Sequence, residues 1–125
     1  MDILDRPKGS IRDFIYIKDK SLSKSFCKDV IEKFDNDPRQ QDGVLGADHK
    51  HVDKSVKDTK DIHISTSDGW EKEDTIFFES LKLGLEEYND YLTNLNSCCK
   101  SYPNPSFGMS DTGYKVQKYE PGGCY

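Results

Sequence analysis

Residues 113–125 read GYKVQKYEPGGCY, a stretch that combines a strand pattern with a turn pattern. Around Val116, successive side chains point to opposite faces of an extended segment. The Pro-Gly-Gly that follows marks a turn, and the aromatic Tyr125 restarts an extended run. The stretch therefore predicts a strand from Gly113 to Tyr119, a turn, and the first residue of another strand. One face of the predicted strand carries Lys115, Gln117 and Tyr119, and the other carries Tyr114, Val116 and Lys118.

Two amphipathic helices are predicted upstream of this strand. The first begins at a serine cap, Ser21 or Ser23, and ends before Pro38, whose ring disfavours helix in the preceding residue. The second begins after Asp68, which precedes Glu71 by three residues, close to a capping box. Each has an apolar stripe at helical spacing, which is typical of core packing. The stripes comprise Leu22, Phe26, Val30, Ile31 and Phe34 in the first helix, and Trp70, Phe77, Phe78, Leu81, Leu85, Tyr88 and Leu92 in the second.

Two more strands are predicted by short apolar runs. Phe14 to Ile17 are aromatic and β-branched, and Ile62 and Ile64 alternate with polar neighbours, so that His63 points away from their face. Residues 40–60 are polar and predict a loop with room for one short strand. The resulting order, β-α-loop-β-α-β without a phosphate-binding βαβ turn, predicts an α+β fold.

Composition and charge limit the classes of function. The chain is 34% hydrophobic and 33% charged, with a net charge of -5, which argues against nucleic acid as a partner. Lysine and aspartate alternate in KDKSLSK and HVDKSVKDTKD, which predicts solvated surfaces. No apolar run approaches the roughly 20 residues that span a bilayer, and MDILDRPKGS lacks the pattern of a secretory signal. We therefore expect a cytoplasmic protein that does not bind membranes.

The cysteines and histidines are candidate metal ligands. Cys27, Cys98, Cys99 and Cys124 fit no zinc spacing, and reduced thiols are expected. His51, Asp53 and His63 formally make a set of two histidines and one carboxylate, as in non-haem iron sites. Their polar segment is a predicted loop, however, whereas such a site needs a rigid scaffold. Surface histidines are the preferred interpretation, and a metal-binding loop that also includes His49 stays open as an alternative.

The last twelve residues resemble a segment of the prolyl-4-hydroxylase-like 2-oxoglutarate/Fe(II) oxygenases. In that family, a strand that ends in Tyr-x-Pro-Gly leads through a glycine-rich turn and an aromatic residue into the His-x-Asp or His-x-Glu of the iron site; here the motif is Tyr119-Glu120-Pro121-Gly122. The order of the upstream elements is also similar. The resemblance implies a double-stranded β-helix (jelly-roll) domain with supporting helices, of which residues 1–125 would form one incomplete domain, the N-terminal half.

The resemblance also implies roles for individual residues. Tyr119 would hydrogen-bond 2-oxoglutarate, Gln117 is a weaker candidate for the same pocket, and Tyr125 would lie on the substrate side. A core residue is the alternative interpretation of Tyr119 and of Gln117. The iron ligands and the basic residue for the far carboxylate of 2-oxoglutarate are expected beyond Tyr125, so no catalytic or metal-binding residue is assigned within the chain.

The implied function is that of an oxidoreductase, a dioxygenase that hydroxylates a protein or small-molecule substrate. Fe(II) and 2-oxoglutarate would be its cofactors, with ascorbate as an optional reductant, and 2-oxoglutarate would be decarboxylated to succinate. We expect the isolated 125 residues to be inactive, and to self-associate because a half-barrel has unpaired strand edges. The alternative function is a complete small non-catalytic domain that binds a protein through its acidic face or through the edge of its last strand.

Overall fold

The computed structural model describes residues 14–95 and 110–125. They form a mixed α/β structure with two α-helices and a three-stranded antiparallel sheet. The elements are α1 (Lys24–Asn36), β1 (Gln41–Asp42), β2 (Lys60–His63), a short 3-10 helix (Ile64–Thr66), α2 (Glu71–Leu95) and β3 (Lys115–Lys118). Neither helix of this described part combines the length and the hydropathy needed to cross a membrane. The pair Cys98–Cys99 lies outside the described residues.

The chain divides into two compact units. The sheet unit comprises Ser23–Phe77 and Thr112–Tyr125. Within the described part of the chain, the helical unit comprises residues 14–22, 78–95 and 110–111. Helix α2 begins in the sheet unit and continues into the helical unit, and all three strands belong to the sheet unit.

Helix α1 begins where the serine cap was predicted. Ser23 is the cap of the two candidates, because its hydroxyl accepts a hydrogen bond from the Phe26 N–H at 3.1 Å. Val30 and Phe34 are buried, as expected. Ile31 is exposed, so its assignment to the buried stripe is wrong. It follows Val30 by one position, which rotates its side chain by about 100° away from the core-facing row.

The sheet places β2 in the centre, with β1 and β3 antiparallel on either side. Val116 of β3 pairs with Ile62 of β2. The predicted strand is therefore confirmed, and its Val116 face packs on the core. The predicted burial of Ile62 and Ile64 is also confirmed. The buried apolar core of the sheet unit consists of Val30, Phe34, Ile62, Ile64 and Trp70, and the partly buried residues around it are Phe26, Phe77, Tyr114 and Val116.

The predicted strand at Phe14–Ile17 is wrong. No strand forms at these residues, and their side chains are exposed. A strand requires a neighbour for its backbone hydrogen bonds, whereas the Phe14 carbonyl here accepts from the Tyr88 hydroxyl at 2.8 Å. The Lys18 ammonium, next in the chain, binds Glu87 at 2.6 Å. The segment is thus held within the helical unit by side chains of α2.

The apolar stripe of the second helix is buried only in part. Trp70 is fully buried and Phe77 packs against the core of the sheet unit. Phe78 and Leu81, in the helical unit, are exposed, so their assignment to a buried core is wrong. Together with Leu85 they line an open cavity of about 570 Å³. These apolar residues therefore recur at helical spacing without being covered by other side chains.

Candidate functional site

The face of β3 that points away from the core carries the most unusual side-chain arrangement of the sheet unit. Lys115 and Gln117 lie on this face, and the register of the sheet places Gln117 directly opposite Asp61 of β2. Lys57 and Thr59 precede β2 in the chain, and both lie on the same side of the sheet as Lys115 and Gln117. The name "polar cluster" is used here for Lys57, Thr59, Asp61, Lys115 and Gln117.

Two ammonium groups of the polar cluster share one carboxylate. Oδ2 of Asp61 lies 3.1 Å from Nζ of Lys115 and 3.5 Å from Nζ of Lys57. The side-chain oxygen of Gln117 accepts from Lys57 at 2.8 Å and from Lys115 at 3.2 Å. This orientation of the amide is assigned from its neighbours, because an ammonium group can only donate. The cluster therefore has a net formal charge of one positive unit.

Two charged residues of the polar cluster are also buried to a degree that charged residues seldom reach. Lys57 and Asp61 are each 5% exposed, and lysine and aspartate are almost never fully buried unless they are paired. The prediction that the segment HVDKSVKDTKD is a solvated surface is therefore wrong at these two positions. Strand pairing brings Lys115 and Gln117 close enough to both residues to replace part of the water that the charges lose.

Electrostatics keep Asp61 ionised. Burial raises the pKa of Asp61, but the nearby Thr59 hydroxyl and the Lys115 ammonium lower this pKa by more, so that it lies below its ordinary value. Within the described residues, Oγ1 of Thr59 and Oδ1 of Asp61 are buried and make no hydrogen bond of normal geometry. The Asp61 carboxylate thus remains the counter-charge of the two lysines at neutral pH.

A β-turn returns the end of the chain to the polar cluster. The Gly123 N–H donates to the Glu120 carbonyl at 2.8 Å, and Gly122 has φ +81°, as type II turns require at their third residue. The predicted turn is therefore confirmed. The Cys124 carbonyl then accepts from the Asp58 N–H at 3.0 Å. This hydrogen bond holds the chain beside the residues that lead into β2.

The structure brings two of the three predicted site residues together. The Tyr125 ring lies over Lys57, with 5.3 Å between Nζ and the ring centroid, and Gln117 contacts the same ammonium. Tyr119 directly follows β3, which ends at Lys118. It is 41% exposed, and its hydroxyl has no hydrogen bond within the described part of the chain, so it is not a buried core tyrosine.

The histidine-rich loop holds its side chains apart from any shared metal position. Nδ1 of His51 lies 3.2 Å from the His49 carbonyl oxygen, and Asp53 accepts from the Ser55 backbone and hydroxyl. Among residues 14–95 and 110–125, no group of three or more His, Cys, Asp or Glu side chains could hold a metal ion. The described residues therefore supply no iron site of their own, and the resemblance implies iron ligands beyond Tyr125.

Comparison of the chain with protein-family models, with curated proteins and with solved structures yields no match.

Proposed function

We propose that this chain forms the N-terminal part of a 2-oxoglutarate- and Fe(II)-dependent oxygenase of the prolyl-hydroxylase-like kind. One observation carries the proposal. Tyr119, the first residue of the Tyr-x-Pro-Gly motif, directly follows β3 and is 41% exposed, and the outward face of β3 presents the positively charged polar cluster. An exposed tyrosine that directly follows a strand with surplus positive charge suits an anionic cosubstrate with two carboxylates.

The residues present have distinct parts in this proposal. The Tyr119 hydroxyl would donate a hydrogen bond to a carboxylate of 2-oxoglutarate, and the lysines of the polar cluster would attract the anion to this face. Gln117 would fix the position of both ammonium groups through its side-chain oxygen. When bound, 2-oxoglutarate would supply two of the four electrons that reduce O₂ and would lose CO₂ to become succinate, which takes one oxygen atom; the substrate would supply the other two electrons and take the second oxygen atom as its hydroxyl group. Because the described residues include no iron ligands, no step is assigned to iron.

The fold is compatible with a larger β-domain. β3 pairs with β2 on one side, and no described strand pairs with its other side. An open strand edge is a template for a further strand. We propose that this edge is where the double-stranded β-helix would continue.

The proposal is tested on the whole gene product, with whatever residues its gene encodes after the Tyr125 codon. We expect His-x-Asp or His-x-Glu within a few codons, and succinate formation from 2-oxoglutarate when Fe(II) is added. Tyr119→Phe should raise the KM for 2-oxoglutarate about tenfold or more, since a hydrogen bond to a charged group contributes about 1.5–3 kcal/mol and about 1.4 kcal/mol is a factor of ten. Tyr91→Phe, in the helical unit, is the matched control and should leave this KM unchanged.

A gene product without the iron-binding motif and without succinate formation would contradict the proposal. It would favour the alternative, a small non-catalytic domain whose partner adds a strand along the open edge of β3.

A further inference from the structure

We propose that the polar cluster is a binding site for a carboxylate group of a small ligand, with Lys57 and Lys115 as the cations that hold it. The inference concerns binding alone and does not require that the protein be an oxygenase. It is carried by the charge, the burial and the contacts of the cluster.

Lys57 lacks a full counter-charge. It is 5% exposed, yet its ammonium is 3.5 Å from the Asp61 carboxylate, whereas charge-assisted hydrogen bonds between ammonium and carboxylate are about 2.7–2.9 Å long. The carboxylate oxygen concerned also serves Lys115, which lies closer to it. A buried charge without a matched partner is unfavourable, and a second carboxylate would supply that partner.

The other neighbours of Lys57 compensate its charge only weakly. The Gln117 oxygen is neutral, and the Tyr125 ring contributes a cation–π contact, which is worth about 0.5–1 kcal/mol at an exposed site. Tyr125 is 82% exposed, so its ring can move aside without loss of buried packing. Lys115, whose side chain is 28% exposed, is accessible from solvent. A ligand can therefore contact Lys115 first and reach Lys57 when the ring moves.

The surplus charge favours a carboxylate over a more highly charged anion. Two ammonium groups and one carboxylate leave a single positive charge, which one carboxylate group neutralises. A phosphate dianion would exceed this charge and would be repelled by Asp61, whose lowered pKa keeps it ionised. The same repulsion acts more weakly on a carboxylate, so removal of the Asp61 charge should tighten binding.

The test is a titration of the full chain with sodium acetate, followed by NMR at the side-chain amide of Gln117, with sodium chloride at equal ionic strength as reference. We expect the chemical shift of this amide to change and saturate as acetate is added, and we expect no saturable change with chloride. Lys115→Met should weaken binding about tenfold or more, as expected when a hydrogen bond to a charged group is lost. Lys118→Met is the matched control, because Lys118 lies on the other face of β3 and pairs with Asp35; it should bind as the wild type does.

Asp61→Asn gives a second readout. Removal of the repelling carboxylate should raise the affinity of the protein for acetate, whereas loss of a purely structural contact would not. The backbone amide spectrum of this variant reports whether it is folded, and Lys115→Arg, which keeps the charge, should bind within a few-fold of wild type. The inference is overturned if acetate and chloride give the same response, or if Lys115→Met binds acetate as tightly as Lys118→Met.

Discussion

The indole Nε1 of Trp70 donates to Oδ2 of Asp37 at 2.8 Å, and this hydrogen bond joins the end of α1 to the start of α2 within the sheet unit. Trp70 has no exposed surface and Asp37 is buried. Arg39 binds both oxygens of the same carboxylate, at 2.9 and 2.7 Å. Lys33 lies over the indole ring, 4.7 Å from its centroid. The only tryptophan of the chain is thus fixed by charged groups around it.

Removal of the Asp37 carboxylate should destabilise the sheet unit. In Asp37→Ala the buried indole N–H loses its acceptor, which costs about 1–3 kcal/mol of the free energy of unfolding. Urea denaturation followed by tryptophan fluorescence measures this change. Asp35→Ala is the control, because Asp35 pairs with Lys118 at the surface and such pairs contribute about 1 kcal/mol or less. Equal losses in the two variants would show that the Trp70 contact has no special weight.

Asp37 should also dominate the acid limb of the stability curve. Its hydrogen bonds from Arg39, together with that from Trp70, hold the pKa of Asp37 far below its ordinary value of 3.8, against the opposing effect of burial. The unfolded chain therefore takes up this proton first as the pH falls. The stabilisation is complete above the ordinary pKa and is lost as the pH falls towards the lower pKa of the folded state.

We accordingly expect the free energy of unfolding to fall less steeply in Asp37→Asn than in the wild type between about pH 4 and pH 2. Urea midpoints measured over this range would check it. Parallel curves for the two proteins would rule out Asp37 as the main source of the acid sensitivity.

The two serines that the sequence offers as caps for α1 should differ in their effect on stability. The Ser23 hydroxyl accepts from the Phe26 N–H, and loss of such a cap costs about 1 kcal/mol. Ser23→Ala should therefore lower the urea midpoint, whereas Ser21→Ala, two residues earlier, should leave it nearly unchanged. A larger effect from Ser21→Ala would mean that the helix begins earlier in solution.

Sequence patterns predicted the features that depend only on residues close together in the chain. The start of α1 follows from a serine three residues before Phe26, and the faces of β3 follow from strict alternation around Val116. By contrast, Phe14–Ile17 has the composition of a strand, but strand formation depends on a neighbour that composition does not supply. The exposure of Phe78 and Leu81 could not be predicted for a similar reason. An apolar stripe predicts which residues share a face of the helix, but it does not predict which part of the chain covers that face.

The polar cluster could not be predicted from its own segment. Lys57 and Asp61 stand in a run of alternating charges, and such runs are usually solvated. Their burial depends on Gln117 and Lys115, which are more than 50 residues away in the sequence, and on the register that places Gln117 opposite Asp61. The pattern did predict that Lys115 and Gln117 share a face. The sequence pattern does not predict that β2 is the strand beside them.

Substitution of Gly43 tests the packing around the polar cluster. A Cβ at Gly43 would overlap the buried Thr59 hydroxyl and lie 2.9 Å from Cε of Lys57. Threonine is stiff about its first side-chain torsion, so the clash cannot be relieved freely, and Gly43→Ala should cost about 1–3 kcal/mol of the free energy of unfolding.

Gly84→Ala is the matched control for this substitution. Gly84 lies within α2 and has no heavy atom within 4 Å of the position that its Cβ would occupy. Alanine should therefore stabilise the helix by about 0.5–1 kcal/mol. Chemical denaturation of both variants, with fluorescence reporting on Trp70 and circular dichroism on α2, separates the two effects. A neutral Gly43→Ala would mean that Thr59 and Lys57 are less tightly packed than the structure shows.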